Sequence, residues 1–162
     1  MADALAVVNA SPLIILSRGC HLDLLRSVAA EMLVPGEVAT EIQARGEADP
    51  TAQALRASRW LRVMPSKEVL PAVAAWGLGP GESAVLSEAA RHAGTVAILD
   101  DLAGRRCAAS LGVPVRGTLG IVLRAKSLGL VPSARRVMED LLRGGLYLSR
   151  DVLDRALAQV GE

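Results

Sequence analysis

Short apolar runs alternate with segments of helical periodicity through the first 116 residues. Residues 5–8 form a run of four apolar side chains, too short for a buried helix and the right length for a buried strand. Residues 32–34 and 96–99 repeat the pattern, residues 61–64 read as extended, and residues 113–115 give a last strand at an edge. Between these runs, Ser11-Pro12 reads as an N-cap followed by Pro at the first helical position, opening a short helix that stops at Gly19. Residues 22–28 predict a second short helix. Pro35 begins a helix that carries Glu37 and Glu41 and ends near Gly46, and residues 51–58 and 67–75 read as two more. After a glycine loop at 77–81, residues 82–93 are amphipathic and closed by Gly94, with Leu86, Ala89 and Ala90 toward the core. This alternation predicts an α/β fold in which helices cover a short, mostly parallel sheet of about four or five strands. Residues 118–128 form a helix closed by Gly129. From about residue 130 only helical signals remain, a C-terminal annex with Ser133 capping one helix and Ser149 another that runs to about Gln159.

Composition narrows the picture. A chain of 162 residues that is 51% apolar is the size of one domain with a full core, so residues 1–162 are expected to be a single unit. Phe is absent and only Trp60, Trp76 and Tyr147 are aromatic, so that core is built from Leu, Val, Ile and Ala. The net charge of +1 creates no global field for a polyanion. Arg outnumbers Lys by 16 to 2; Arg suits phosphate forks, although GC-rich coding produces the same bias. Cys20 and Cys107 are far apart with no Cys-x-x-Cys, which excludes a structural zinc site and reads as two reduced thiols of a cytoplasmic protein. The apolar N-terminal stretch lacks a basic leader and is broken by Asn9, Ser11 and Pro12. No run reaches the roughly 18 apolar residues of a membrane span.

The candidate chemistry is acidic. Asn9 ends the first strand, Glu41 lies in the helix after the second, Glu82 opens the helix after the glycine loop, and Asp100 and Asp101 end a later strand. In a parallel sheet such positions share one edge, and converging hard oxygens are what Mg²⁺ or Mn²⁺ requires. Each residue also has a plain structural reading. Asn9 can be a turn residue, Ser11 a cap, and Glu41 the partner of Arg45 at i,i+4. Glu82 can serve the helix dipole and Asp101 can cap the next helix, leaving Asp100 solvated. Arg105 and Arg106 can touch RNA phosphate or pair with Asp101. His21 and His92 stand alone and read as surface or packing residues.

In order, the segments VVNASPLIIL, GCHLDLL, VPGEVATEI, GPGESAVLSEA, ILDDLAGRRCAASLGVPVRGTLGIVLRAKSLGLV and GGLYLSRDVLDRAL resemble the PIN-domain superfamily. More narrowly, they resemble the VapC-like branch catalogued as a domain of unknown function, over nearly the whole chain. The resemblance implies a three-layer α/β/α fold and a metal-dependent endoribonuclease of the toxin type. It implies Mg²⁺ or Mn²⁺ as cofactor, RNA as substrate, a small cognate antitoxin and a homodimer as partners. Carried over by position, it places the metal ligands at Asn9, Glu82, Asp100 and Asp101. Glu41 completes the catalytic set, and Ser11, Arg105 and Arg106 are weaker RNA contacts. Asn9 departs from the Asp usual in nuclease-competent PIN domains, which removes a charge and leaves open a degenerate module that binds RNA or protein without cutting. The leucines at 141, 142, 146 and 148 are read as apolar surface available for association. The glycine loop lacks the Gly-Lys-Ser/Thr ending of a phosphate loop, and no Gly-x-Ser-x-Gly elbow is present. A phospho-receiver fits poorly, because Asn9 has no acidic neighbour and Lys126 falls within a helix.

Overall fold

A computed structural model describes residues 5–162. Its centre is a five-stranded, all-parallel sheet in the order β3-β2-β1-β4-β5: β1 (Ala6–Val8), β2 (Met32–Pro35), β3 (Leu61–Met64), β4 (Val96–Ile98) and β5 (Val115–Arg116). The three central strands are buried along their whole length, as strands covered on both faces must be, and that is why they read as continuous apolar runs rather than alternating ones. The edge strand β5 begins two residues later than the apolar run starts, because Pro114 has no N–H to give a ladder.

The helices are α1 (Ala10–Arg18), α2 (Gly36–Gln43), α3 (Pro50–Ala57), α4 (Pro71–Ala74), α5 (Pro80–Arg91), α6 (Leu102–Ser110), α7 (Thr118–Ser127), α8 (Ala134–Arg143) and α9 (Arg150–Ala158). Residues 22–27 form a 3₁₀ helix rather than a short α-helix. Three other boundaries differ from expectation. Helix α1 starts at Ala10 with Asn9 in the cap position, so Ser11 is not the cap but an exposed residue of the first turn. Pro35 is still strand, and α2 begins at Gly36. The expected helix over 67–75 shrinks to four residues, because Pro71 can start a helix but cannot continue one.

The caps hold where the side chains can supply them. Asp49, Asp101, Ser133 and Ser149 each accept from backbone N–H groups of the helix they precede, contacts worth about 1 kcal/mol apiece. Helix α7 ends in a Schellman turn: Leu130 N–H donates to Ala125 O, Gly129 N–H donates to Lys126 O, and Gly129 takes the left-handed φ of 72°.

Helix α5 packs on β1, β2 and β4, and buries Leu86 and Ala89 with Ala90 half-buried beside them. Helices α8 and α9 pack against α7, so the annex joins the same buried cluster through Met138, Leu141 and Leu157. Leu141 is therefore core rather than surface, whereas Leu142, Leu146 and Leu148 are half-buried. The large apolar side chains left exposed include Leu102, Leu128, Leu130 and Tyr147.

Candidate functional site

The strand order reverses between β1 and β4: the chain moves outward from β1 to β2 and β3, then crosses back to lay β4 and β5 on the other side. In open parallel sheets the crevice beyond the carboxyl ends at such a reversal is where ligands bind, because the two sets of loops diverge there. Asn9 stands at that point, directly after β1, with its backbone N–H donating to Ile98 O of β4 at 2.9 Å. Asp100 follows two residues after Ile98, so both groups lie on the same sheet edge.

Asn9 is 4% exposed, and its Nδ2 donates to Glu82 Oε1 at 3.4 Å. Its Oδ1 is buried with no hydrogen-bond partner, which for an amide carbonyl costs about 1–3 kcal/mol unless something else satisfies it. Glycine makes the space around it. A Cβ on Gly81 would stand 3.0 Å from Asn9 Oδ1 and 3.5 Å from Glu41 Oε2, and a Cβ on Gly79 would stand 2.6 Å from Glu82 Oε2. The first turn of α5 thus presents bare backbone beside the side chains of Asn9, Glu41 and Glu82. Glu41 is exposed and belongs to this group rather than to Arg45. Arg45 Nε instead donates to Asp49 Oδ2 at 2.9 Å. Burial pushes the Asp49 carboxyl up, but the Arg45 hydrogen bond and the N–H groups of Ala52 and Thr51 hold it below the usual carboxylate range.

The two strand-end acids have separate fates. Asp100 is half-buried and accepts twice from Thr118: Oδ1 from the backbone N–H at 2.7 Å and Oδ2 from the hydroxyl at 2.6 Å. It is therefore held, not merely solvated. Asp101 is exposed, and its Oδ2 accepts from Gly104 N–H at 2.8 Å. Arg105 Nη1 and Asp100 Oδ1 both approach the place where a Gly117 Cβ would stand, at 3.1 and 2.9 Å. Arg106 and Ser11 are exposed.

The hard-oxygen set of Asn9, Glu41 and Glu82 matches what a divalent cation takes, and the orphaned Asn9 carbonyl beside a glycine-made cradle is the observation that fits one. Among the described residues, no three His, Cys, Asp or Glu side chains stand close enough to hold a metal by themselves. Asp100 accepts from the N–H and hydroxyl of Thr118, and Asp101 from Gly104 N–H, partners outside the Asn9 group. Three contributors escaped the reading of the sequence: Gly81, Gly117 and Thr118. The signal for the first was a glycine directly preceding Glu82. For the other two it was a Gly-Thr pair just past the last strand.

A family model described as a PIN domain matches residues 5–162 of the chain. None of the curated proteins matches it.

Proposed function

The chain belongs to the PIN-domain family, whose members are generally nucleases that use divalent metal ions, and from that premise we propose that it is a metal-dependent endoribonuclease of the toxin type. The observation that carries this reading is the buried, unsatisfied Asn9 carbonyl, which shares the bare backbone of Gly81 with Glu41 Oε2 while the same amide donates to Glu82. Asn9 and Glu82 would hold Mg²⁺ or Mn²⁺, with Asp100 and Asp101 completing the acidic edge. The ion would supply positive charge against the phosphodiester and lower the pKa of a bound water. Glu41 Oε2, on the open side of the group, is the acceptor for the attacking water's proton. Thr118 keeps the Asp100 carboxylate facing one way by holding both its oxygens.

In this reading residues 1–162 are one PIN-like domain acting in the cytoplasm on RNA. A small cognate antitoxin restrains it, and a second copy forms a homodimer; both partners are supported by the family resemblance. No helix among the described residues is long and apolar enough to cross a membrane. The test is incubation of the protein with a mixed RNA pool in Mn²⁺, Mg²⁺ or EDTA, followed by mapping of the cut ends. Cleavage that needs the metal supports the reading, and intact RNA in every condition overturns it.

A second reading, a PIN-like module that binds without cutting, has its own observation. The Asn9 amide already donates to Glu82, and both strand-end acids already accept from backbone groups. Mn²⁺ binding without any cleavage favours it.

A further inference from the structure

Beside the acidic edge lies an open groove of about 640 Å³ running between β5, α7 and α9. It begins at Asp100 and Arg105 and continues past Leu119 to Tyr147 and Arg155. It meets the strand-end acids at Asp100, and its lining includes three arginines, Arg105, Arg116 and Arg155, against one acidic residue, Asp100. In a chain whose net charge is only +1, that is a local concentration of positive charge.

The placement of Tyr147 follows from the chain on either side of it. Helix α8 closes in a glycine turn, with Gly145 at φ 111° and Leu146 N–H donating to Leu141 O at 2.9 Å. In the next three residues burial alternates: Leu146 and Leu148 pack on the core while Tyr147 is 96% exposed. Two anchored leucines therefore hold the one tyrosine of the protein away from its own core, over a groove lined by arginines.

We propose that this groove receives a single-stranded stretch of RNA leading to the acidic site, with Tyr147 as the platform on which one base stacks and Arg105 and Arg155 as phosphate contacts. The proposal rests on the ribonuclease reading of the adjoining site and adds to it a path for the strand and a positioning residue. A single strand offers what the groove is built for: a phosphate at every nucleotide and a base face free to stack. A duplex keeps its bases stacked on one another and offers none to Tyr147.

The experiment uses the full chain and a fluorescein-labelled, unstructured 12-nucleotide RNA. Binding is read by anisotropy in EDTA, and cleavage is read by initial rates in Mn²⁺. Tyr147→Ala weakens binding, or raises KM, by about tenfold, the usual size of one lost base–aromatic stack. Tyr147→Phe, which keeps the ring, stays within about twofold. Arg155→Ala reduces the slope of log K against log salt by about 0.7, one phosphate contact on a single strand. Wild type that cleaves RNA while Tyr147→Ala matches it in binding and KM overturns the groove and leaves the ribonuclease standing. Binding that depends on Tyr147 without any cleavage keeps the groove and overturns the ribonuclease. Wild type that neither binds nor cleaves overturns both. If Tyr147→Ala instead dissociates a dimer in sedimentation without affecting RNA, the face is an interface between copies and the proposal falls.

Discussion

Asp100 and Thr118 are 18 residues apart and joined twice, the backbone N–H and the hydroxyl of Thr118 donating to the two carboxylate oxygens at 2.7 and 2.6 Å. Thr118 is fully buried at the start of α7, so this pair ties the end of β4 to the helix beyond β5. Thr118→Val keeps the shape and removes the hydroxyl. It is expected to cost about 1.5–3 kcal/mol in urea unfolding, the usual range for a hydrogen bond to a charged group. Thr118→Ser is expected to recover most of that loss. Cleavage, measured on the same preparations, falls with Thr118→Val and returns with Thr118→Ser if the orientation of Asp100 matters to the reaction.

Gly81→Ala separates the site from the fold. The added methyl would stand 3.0 Å from Asn9 Oδ1 and 3.5 Å from Glu41 Oε2, inside the space a cation would use. The helix preference of Ala opposes that tight contact, so stability is expected to change by no more than about 1 kcal/mol in either direction. Mn²⁺ affinity is expected to drop by about tenfold or more. Calorimetric titration with Mn²⁺ beside a thermal melt reads both, and unchanged affinity would remove Gly81 from the site.

Asn9→Asp replaces an amide that donates to Glu82 at 3.4 Å with a second carboxylate. Without metal, two like charges at that distance cannot both ionise comfortably, so the melting temperature in EDTA falls. Mn²⁺ supplies the missing positive charge, so the variant gains more from added Mn²⁺ than wild type does and binds it more tightly. A variant whose melting temperature ignores Mn²⁺ would place the cation elsewhere.

Asp101 has an exposed side chain with one oxygen on Gly104 N–H. Asn caps a helix about as well as Asp, whereas Ala loses about 1 kcal/mol. Asp101→Asn is therefore expected to leave denaturant stability close to wild type while abolishing cleavage, and Asp101→Ala to lower both. Full activity in Asp101→Asn would reduce the residue to its cap.

Glu162 closes the annex from outside α8. Its carboxylate accepts from the backbone N–H groups of Arg135 and Ala134 and from the Ser133 hydroxyl, and pairs with Lys126 at 3.1 Å. The Arg135 N–H, then that of Ala134, draw its pKa from 4.5 down to about 2. A depressed acid stabilises the fold at pH above its unfolded value and loses that contribution as pH falls through the folded one. The gap in melting temperature between wild type and Glu162→Gln is thus constant above about pH 5 and closes between about pH 4.5 and 2. A gap that persists at pH 2 would mean the contacts do not depend on the charge.

The α/β alternation, the positions of the strands and the serine caps of α8 and α9 were legible along the chain. They depend on neighbours a few residues apart: an apolar run bounded by turn residues, or a hydroxyl three positions before the N–H it accepts. The family resemblance brought Asn9, Glu41 and Glu82 forward as candidates for the same reason, since each stands inside a recognisable local segment. Tertiary structure decided how those residues are used. Arg45 was equally placed for Glu41 and for Asp49 at i−4 and i+4, and the cap geometry of α3 gave it to Asp49, leaving Glu41 beside Gly81. Asp100 looked solvated because nothing near it in sequence binds it; its partner arrives only when β5 packs beside β4 and brings Thr118 to the same edge. Leu146 and Leu148 looked like available surface, but both pack half-buried against the core cluster, and Tyr147 between them is left exposed. Hydrophobic spacing selects elements because burial acts on each side chain separately, whereas a polar group's partner is set by which backbones the finished fold brings within about 3 Å.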